Sequence, residues 1–174
     1  GTSLGAVICI NDSLIRVAKN IKLFKPEMIL MVPLMIETMA KKLEEAALLP
    51  AKIVKSQVFG KQFHTICSGG AYLDPGYIDL FKKYDIVIQQ GYGMTECAPV
   101  ISVNQSWNIR SDSVGQLLPN CEAKTVEGEL WVKGSSVMQG YYKMPEETAE
   151  TLEDGWLKTG DLGYVDEEGF VYLT

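Results

Sequence analysis

The stretch that decides the fold is IVIQQGYGMTE, residues 86–96. Ile86–Gln90 is an apolar segment of strand length, and it runs directly into the glycine-rich sequence Gly91–Glu96. The same arrangement occurs earlier, where the short strand candidate His64–Cys67 runs into Ser68–Ala71. In an open parallel sheet, ligands bind beyond the carboxyl ends of the strands, where glycines let backbone N–H groups come close. The two segments therefore predict a parallel sheet with a ligand site at that edge.

Strand and helix signals alternate through the first hundred residues. The apolar runs Leu4–Ile10 and Met28–Val32 predict two further strands, the second of them buried. Apolar spacing, capping residues and prolines predict three helices, namely Leu14–Phe24, Pro33 to about Ala47, and a helix that Asp74-Pro75 caps. A loop and a short helix are expected over residues 48–62. This order is typical of the α/β class, with a parallel sheet and flanking helices forming the βαβαβ part of a larger layered domain.

The sequence changes character after about Asn104. Short strand candidates with glycines between them follow, at Glu129–Lys133, Leu157–Lys158 and Phe170–Thr174. Asp166–Gly169 is a candidate hairpin turn between the last two. We therefore expect an α/β subdomain over residues 1–105 and a subdomain of antiparallel β segments, part of a distorted barrel, over residues 106–174.

Composition excludes several classes of protein. The 174 residues carry a net charge of −6, which argues against a protein that coats nucleic acid or an anionic membrane. The longest apolar run, Met28–Ile36, contains Pro33 and is too short to span a bilayer. One histidine, His64, excludes a multi-histidine metal site. Four cysteines without a CxxC pair indicate free thiols in a reducing compartment, so a cytoplasmic location is expected.

The glycine-rich segment Gly91–Glu96 carries the parts of a nucleotide site. The Thr95 hydroxyl can bond a phosphate or carboxylate oxygen, and Glu96 supplies an oxygen ligand suited to Mg²⁺. Tyr92 offers a flat face for a purine. The residues alone leave another interpretation open, because glycine pairs after strands are common in turns and a Thr-Glu pair often only begins a helix. Neither glycine segment contains Lys or Arg, and the chain has no Walker-type phosphate loop.

Three other features have ordinary structural interpretations. His64, alone at a strand start, is expected to be a packing residue rather than part of the site. Cys97 is expected to behave as a small buried hydrophobe, although it could face an acyl pocket. The methionines at positions 28, 31, 35 and 39 favour an adaptable core over a lipid groove, although an acyl tunnel could use them.

Four sequence blocks resemble those of the adenylate-forming ligases, the superfamily of acyl-CoA synthetases, luciferases and peptide-synthetase adenylation domains. In chain order they are Ser68–Ala71, Gln90–Glu96, Gly128–Gly134 with Gly140–Tyr142, and Asp154–Asp161. Their order and spacing make the combination far more specific than any single block. The resemblance covers nearly the whole chain.

The resemblance implies roles for individual residues. Gly70 and Ala71 would line the adenine, Tyr92 would stack on it, and Asp161 would accept both ribose hydroxyls. Without that resemblance Asp161 reads as a turn residue beside a glycine. The residues expected at the nucleotide are Gly69, Gly70, Ala71, Gln90, Gly91, Tyr92, Gly93, Met94, Thr95 and Asp161. Thr95 and Glu96 are expected to be catalytic, with Glu96 as the metal ligand, and Gly93 and Met94 would border the acyl pocket.

Within the superfamily, Gly93–Glu96 is similar to the acyl-CoA synthetases, and residues 13–39 resemble the bacterial long-chain fatty acid ligases. The implied substrates are a fatty acid, ATP and CoA, with AMP as a product and Mg²⁺ as cofactor. The implied reaction forms an acyl-adenylate and then a thioester. Peripheral membrane contact of the parent protein is compatible with this class, nucleic acid is not expected as a partner, and the oligomeric state is not predicted.

The same resemblance indicates that the chain is an internal fragment. The lysine-containing loop that holds the outer phosphates, the hinge and the C-terminal domain with its lysine have no counterpart here, so the fragment itself is expected to be inactive. Cys121–Val126 is also shorter than usual. Two alternatives stay open: a non-catalytic nucleotide-binding module, and an adenylating enzyme for another carboxylic acid.

Overall fold

The structure, a computed structural model, describes residues 5–174. Its first sheet has five strands in the order β1-β2-β3-β4-β5. Strands β1 (Met28–Met31), β2 (Thr65–Ser68) and β3 (Val87–Tyr92) are parallel, as the sequence predicts. Two antiparallel strands, β4 (Ser102–Val103) and β5 (Gln116–Leu117), extend the sheet from β3.

Four helices accompany the parallel strands. They are α1 (Val17–Phe24), preceded by a 3-10 turn at Leu14–Arg16, α2 (Pro33–Glu45), α3 (Ala51–Val58) and α4 (Pro75–Lys82). The apolar face predicted for α2 is the buried one: Ile36, Met39, Ala40 and Leu43 all lie in the core. Asp74 caps α4, since its carboxylate accepts a hydrogen bond from the Gly76 N–H at 2.8 Å.

Two strand predictions need correction. Of the run Leu4–Ile10, Leu4 lies outside the described residues, and residues 6–10 form no strand; Val7 is 88% exposed. An apolar run of strand length becomes a strand only where another strand pairs with it. Strand β1 is also not buried throughout, because only Met31 is enclosed and Leu30 is 77% exposed.

The second sheet is a curled antiparallel one, in the order β10-β9-β7-β6 with the short β8 paired to β9. Its strands are β6 (Cys121–Val126), β7 (Glu129–Gly134), β8 (Leu152–Glu153), β9 (Trp156–Val165) and β10 (Val171–Leu173); helix α5 (Pro145–Thr151) precedes β8. The predicted hairpin at Asp166–Gly169 is present, with the Gly169 N–H donating to the Asp166 carbonyl at 3.0 Å. These observations confirm the α/β fold class followed by antiparallel β structure.

Strand β10 connects the two sheets. The Val114 N–H donates to the Val171 carbonyl and the Val171 N–H donates to the Gly115 carbonyl, at 3.0 and 2.9 Å. Gly115 has no room for a side chain, because a Cβ there would lie 2.0 Å from the Val103 carbonyl carbon. A hydrophobic cluster with side chains from both sheets lies between them. Its buried members include Tyr92, Ile101, Leu130, Val132, Leu157 and Val171. The division at residue 105 stays a prediction.

Candidate functional site

A cleft of about 590 Å³ lies at the carboxyl ends of the parallel strands. The two glycine-rich segments meet there, as the parallel arrangement predicts. A Cβ at Gly69 would lie 3.1 Å from the Gly91 carbonyl oxygen, so the two segments approach each other closely because neither carries a side chain at that point. The cleft residues are Leu30, Met31, Val32, Met35, Cys67, Ser68, Gly69, Gly70, Gln89, Gly91, Tyr92, Gly93, Met94, Thr95, Pro99, Val100 and Val103.

Seven of the residues predicted at the nucleotide line this cleft: Gly69, Gly70, Gly91, Tyr92, Gly93, Met94 and Thr95. Four other predicted site residues, Ala71, Gln90, Glu96 and Asp161, are not among its lining residues. Gln90 is buried in β3, where its carbonyl accepts from the Asn104 N–H at 2.8 Å. Ala71 and Asp161 are exposed and Glu96 is half-buried. The ligand roles of all the predicted site residues stay predictions.

The turn after β3 is built around Gly93. A Cβ there would lie 1.9 Å from the Pro99 carbonyl oxygen and 2.8 Å from the Val100 Cα. The chain then forms a 3-10 turn at Thr95–Cys97, which leaves Thr95 exposed at the cleft. Only glycine fits this crossing of two backbone segments.

Glu96 is held by the segment that precedes α5. The Tyr141 hydroxyl donates to Glu96 Oε1 at 2.8 Å, and the Met138 N–H donates to the Glu96 carbonyl at 2.8 Å. The bond to Glu96, more than burial, raises the pKa of Tyr141. Tyr141 belongs to the sequence block Gly140–Tyr142, but the sequence predicted no role for it.

Asp161 reaches the first sheet through Tyr92. The Tyr92 hydroxyl donates to Asp161 Oδ2 at 2.6 Å, across 69 positions of the chain. Burial, followed by this hydrogen bond, raises the pKa of Tyr92 well above its ordinary value. The bond joins a predicted adenine-stacking residue to the predicted ribose ligand.

A bulge in β9 presents Asp161. Trp131 pairs with Lys158 and Glu129 with Leu162, so residues 159–161 of β9 stand opposite Leu130 alone. The Thr159 hydroxyl donates to the Leu130 carbonyl at 2.7 Å. Glu129 stabilises the bulge with both carboxylate oxygens: Oε1 accepts from the Gly160 N–H at 2.8 Å and Oε2 from Trp131 Nε1 at 3.0 Å.

The role of Glu129 in stabilising the bulge was not predicted from the sequence. It lies in the block Gly128–Gly134, so the resemblance brought it to notice without indicating its partners. The contact between the Glu129 carboxylate on β7 and Gly160 on β9 depends on the register of these two strands, which the sequence does not specify.

The cleft wall is largely apolar, with Ser68, Gln89 and Thr95 among its polar residues, and none of its lining residues is charged. Ser68 at the end of β2 is buried, and among the described residues no hydrogen-bond partner reaches its hydroxyl. Met31 is buried and lines the cleft together with the partly buried Met35, so two of the methionines assigned to the core also face the candidate ligand space.

Of the remaining candidates, Cys97 behaves as expected. His64 lies outside the cleft lining, as expected, but it is exposed and is not the packing residue that the sequence predicts. His64 Nδ1 lies 2.7 Å from the Thr65 hydroxyl, within its own strand region. Cys97 is fully buried, and burial raises the pKa of its thiol to about 11, which makes it a poor nucleophile. All four cysteines are free thiols.

A parallel sheet with a glycine-lined cleft at its carboxyl edge, followed by a curled antiparallel sheet, is the architecture of the N-terminal domain of adenylate-forming ligases. Sequence comparison agrees with the architecture: the AMP-binding enzyme family matches residues 2–142, and the chain belongs to that family. Its curated relatives include 4-coumarate–CoA ligases and long-chain-fatty-acid–CoA ligases.

Two curated relatives illustrate the range of substrates. The chain is 42% identical over 125 residues to a probable 4-coumarate–CoA ligase of Dictyostelium discoideum, a match that covers 63% of this chain and 23% of that protein. It is 46% identical over 96 residues to a long-chain-fatty-acid–CoA ligase of Salmonella typhimurium, covering 48% of this chain and 17% of the relative. The matches thus span a quarter or less of these relatives.

A solved structure agrees over almost the entire chain. The o-succinylbenzoate coenzyme A synthetase of Bacillus subtilis, in complex with ATP and magnesium ion, is 28% identical with a TM-score of 0.73. The match covers 92% of this chain and 34% of that one. Another structure of the same enzyme contains AMP.

Residues 5–174 contain no cluster of three or more His, Cys, Asp or Glu side chains that could enclose a metal ion. They also contain no helix with the length and apolar character needed to cross a membrane.

Proposed function

We propose that this chain forms part of an ATP-dependent, AMP-forming fatty acid–CoA ligase and holds the acyl-adenylate in the cleft beside β2 and β3. The observation that carries the proposal is the cleft itself, where a glycine-lined edge with the Thr95 hydroxyl adjoins an uncharged, apolar wall. Its volume of about 590 Å³ falls within the range of small-molecule sites, roughly 300–1,000 Å³.

On the nucleotide side, Gly69, Gly70 and Ala71 would border the adenine and Tyr92 would stack on it. Asp161 would accept the ribose hydroxyls. Its Oδ2 already accepts from Tyr92, so the same carboxylate would position base and sugar relative to each other. Thr95 would contact the α-phosphate and the substrate carboxylate, while Gln90, Gly91, Gly93 and Met94 would shape the backbone around them.

Glu96 fits a magnesium ion bound partly by substrate. One of its oxygens accepts from Tyr141, and across residues 5–174 no protein donor reaches the other. Mg²⁺ typically takes one or two carboxylates and completes its shell with water and substrate phosphates. The ion would supply charge stabilisation at the phosphates, and Glu96 would be its protein ligand.

On the acyl side, the wall of the cleft combines branched and flexible apolar side chains: Leu30, Met31, Val32, Met35, Val100 and Val103. Flexible methionine side chains can adapt to the irregular shape of an alkyl chain. This wall supports a fatty acid as the substrate, with a long chain as the finer expectation.

The proposed reaction has two steps. The carboxylate oxygen attacks the α-phosphorus of ATP, and the bond to pyrophosphate breaks; the CoA sulfur then attacks the acyl carbon, and AMP leaves. Because the cleft lining has no Lys or Arg, the charge on the outer phosphates must be met by groups outside this lining. The family resemblance places two further phosphate-binding parts, a lysine-containing loop and a C-terminal domain with its lysine, outside this chain, so we expect the chain alone to be inactive. We expect the complete polypeptide to work in the cytoplasm.

The substrate test is thioester formation by the complete polypeptide with saturated acids from butanoate to hexadecanoate and with 4-coumarate. Long saturated acids should react best. Met35→Phe should move the preference to shorter acids by narrowing the cleft, whereas Leu34→Phe, at a neighbouring position that is 71% exposed, should not. If 4-coumarate reacts better than every saturated acid, the substrate is an aryl acid rather than a fatty acid. An aryl acid is the second candidate because the chain is 42% identical to a probable 4-coumarate–CoA ligase.

A non-catalytic nucleotide-binding module is the remaining alternative. Calorimetry with AMP and ATP separates it from a ligase, because a module would bind nucleotide without forming thioester with any acid. If no binding heat is measured at millimolar AMP or ATP, both the ligase and the nucleotide-binding module are excluded.

A further inference from the structure

We propose that Tyr141 is a positioning residue that orients the Glu96 carboxylate toward the metal of the nucleotide complex. The inference rests on the proposed function, because Glu96 is the metal ligand only if Mg·ATP binds in the cleft. It assigns a role to a residue of the β7–α5 connection, outside the cleft lining.

The Glu96 carboxylate is held on one side only. The Tyr141 hydroxyl donates to Oε1 at 2.8 Å, and the Met138 N–H fixes the backbone of the same residue through its carbonyl. A carboxylate that swings freely offers its oxygens in many directions, whereas a hydrogen bond on one oxygen fixes the direction in which the other points. In the described chain that second oxygen, Oε2, has no protein donor.

Tyr141 itself is fixed by the start of α5. Its N–H donates to the Thr148 hydroxyl at 2.9 Å, and that hydroxyl donates to the Met144 carbonyl at 2.6 Å. Gly140 allows this packing, because a Cβ there would lie 2.7 Å from Thr148 Cγ2. The phenol is therefore presented to Glu96 by a fixed backbone rather than by a mobile loop.

Tyr142 provides a matched control in the next position. Its side chain is 85% exposed, and no hydrogen bond to its hydroxyl occurs among residues 5–174. Tyr141→Phe and Tyr142→Phe each remove one phenolic oxygen and keep the ring, so a difference between them reports the bond to Glu96.

The test is calorimetric ATP binding by the complete polypeptide, with Mg²⁺ and with EDTA in its place. We expect Tyr141→Phe to weaken binding in Mg²⁺ roughly 10- to 100-fold, the usual effect of losing a partner of a metal ligand. Its binding in EDTA should stay within about twofold of the wild type, and Tyr142→Phe should match the wild type in both conditions. Bound Mn²⁺, measured by electron paramagnetic resonance, gives a second readout that does not depend on turnover.

Each other outcome overturns the inference. An equal loss with and without metal would show that Tyr141 only supports the local structure, and unchanged binding would show that the hydrogen bond has no effect on the metal. A wild type that binds ATP equally in Mg²⁺ and EDTA would remove the metal role of Glu96 itself. That last result counts against the proposed function. It can be distinguished from a failure of the Tyr141 inference because it is seen with the wild type, before any substitution is made.

Discussion

Tyr92 and Asp161 are joined by a 2.6 Å hydrogen bond that connects the parallel sheet to the antiparallel one. Tyr92 ends β3 and is buried, whereas Asp161 lies on the bulge of β9 and is exposed. The bond therefore couples the geometry of the proposed site to the packing of the two sheets.

Tyr92→Phe should make the protein less stable at neutral pH and less sensitive to alkali. Loss of a hydrogen bond to this exposed carboxylate should cost about 1–2 kcal/mol. Because the folded state raises the pKa of this phenol, its stabilising effect is complete below its ordinary pKa of 10.0 and is lost as pH rises above that value. Thermal unfolding of the complete polypeptide between neutral and strongly alkaline pH measures both effects.

The variant Tyr142→Phe is the control, because its exposed phenol has no partner to lose. If Tyr92→Phe and the wild type lose stability in parallel above pH 10, the titration of the Tyr92 phenol does not contribute to the loss of stability in alkali.

Glu129→Gln should weaken ATP binding without changing the affinity for the acyl substrate. The Gly160 N–H and the Trp131 indole reach different oxygens of Glu129, and glutamine replaces one of these oxygens with an NH2 donor. One of the two bonds is therefore lost, and the bulge that presents Asp161 loosens. The loss of one such bond is worth about 1 kcal/mol, or about a fivefold rise in the KM for ATP.

Trp131→Phe separates the two bonds of Glu129. It removes the indole donor and leaves the Gly160 contact, so its KM for ATP should stay near that of the wild type. Equal increases in the KM for ATP and for the acid in Glu129→Gln would point instead to general loss of structure.

Gly93→Ala should disrupt the turn beside the cleft. The new Cβ would lie 1.9 Å from the Pro99 carbonyl oxygen, so one backbone segment must move, at a cost of roughly 1–3 kcal/mol or more. Gly69→Ala meets its nearest atom at 3.1 Å and should cost less. Thermal unfolding ranks the two variants, and equal stability would show that the backbone crossing is not tight.

Ile36→Ala should lower the free energy of unfolding by about 2–5 kcal/mol, because it leaves a cavity in a fully buried position. Leu34 lies on the exposed face of the same helix, so Leu34→Ala should change the free energy of unfolding by no more than about 0.5 kcal/mol. Denaturant titration of both variants checks the predicted face of α2, and similar losses would contradict it.

The sequence contained enough information for the parallel core. The spacing of Ile36, Met39, Ala40 and Leu43 predicts the buried face of α2, and Asp74-Pro75 predicts the start of α4. These signals are local, since a helix face or a cap depends on residues only a few positions apart. The same locality explains why the hairpin at Asp166–Gly169 was predictable.

Contacts between distant elements were not predictable. The bonds from Tyr92 to Asp161 and from Tyr141 to Glu96 depend on how the sheets and the β7–α5 connection pack, which no local pattern records. The exposed face of β1 was missed for a related reason: an apolar run such as Met28–Val32 indicates a strand but does not say which of its faces is covered.

The most direct test of the proposed function is ATP–pyrophosphate exchange by the complete polypeptide, with and without a long-chain fatty acid and Mg²⁺. We expect exchange only when both are present, and we expect Asp161→Ala to raise the KM for ATP because it removes the acceptor for the ribose hydroxyls. Exchange that is absent with every carboxylic acid, or that proceeds without any acid, would contradict adenylate formation at this cleft.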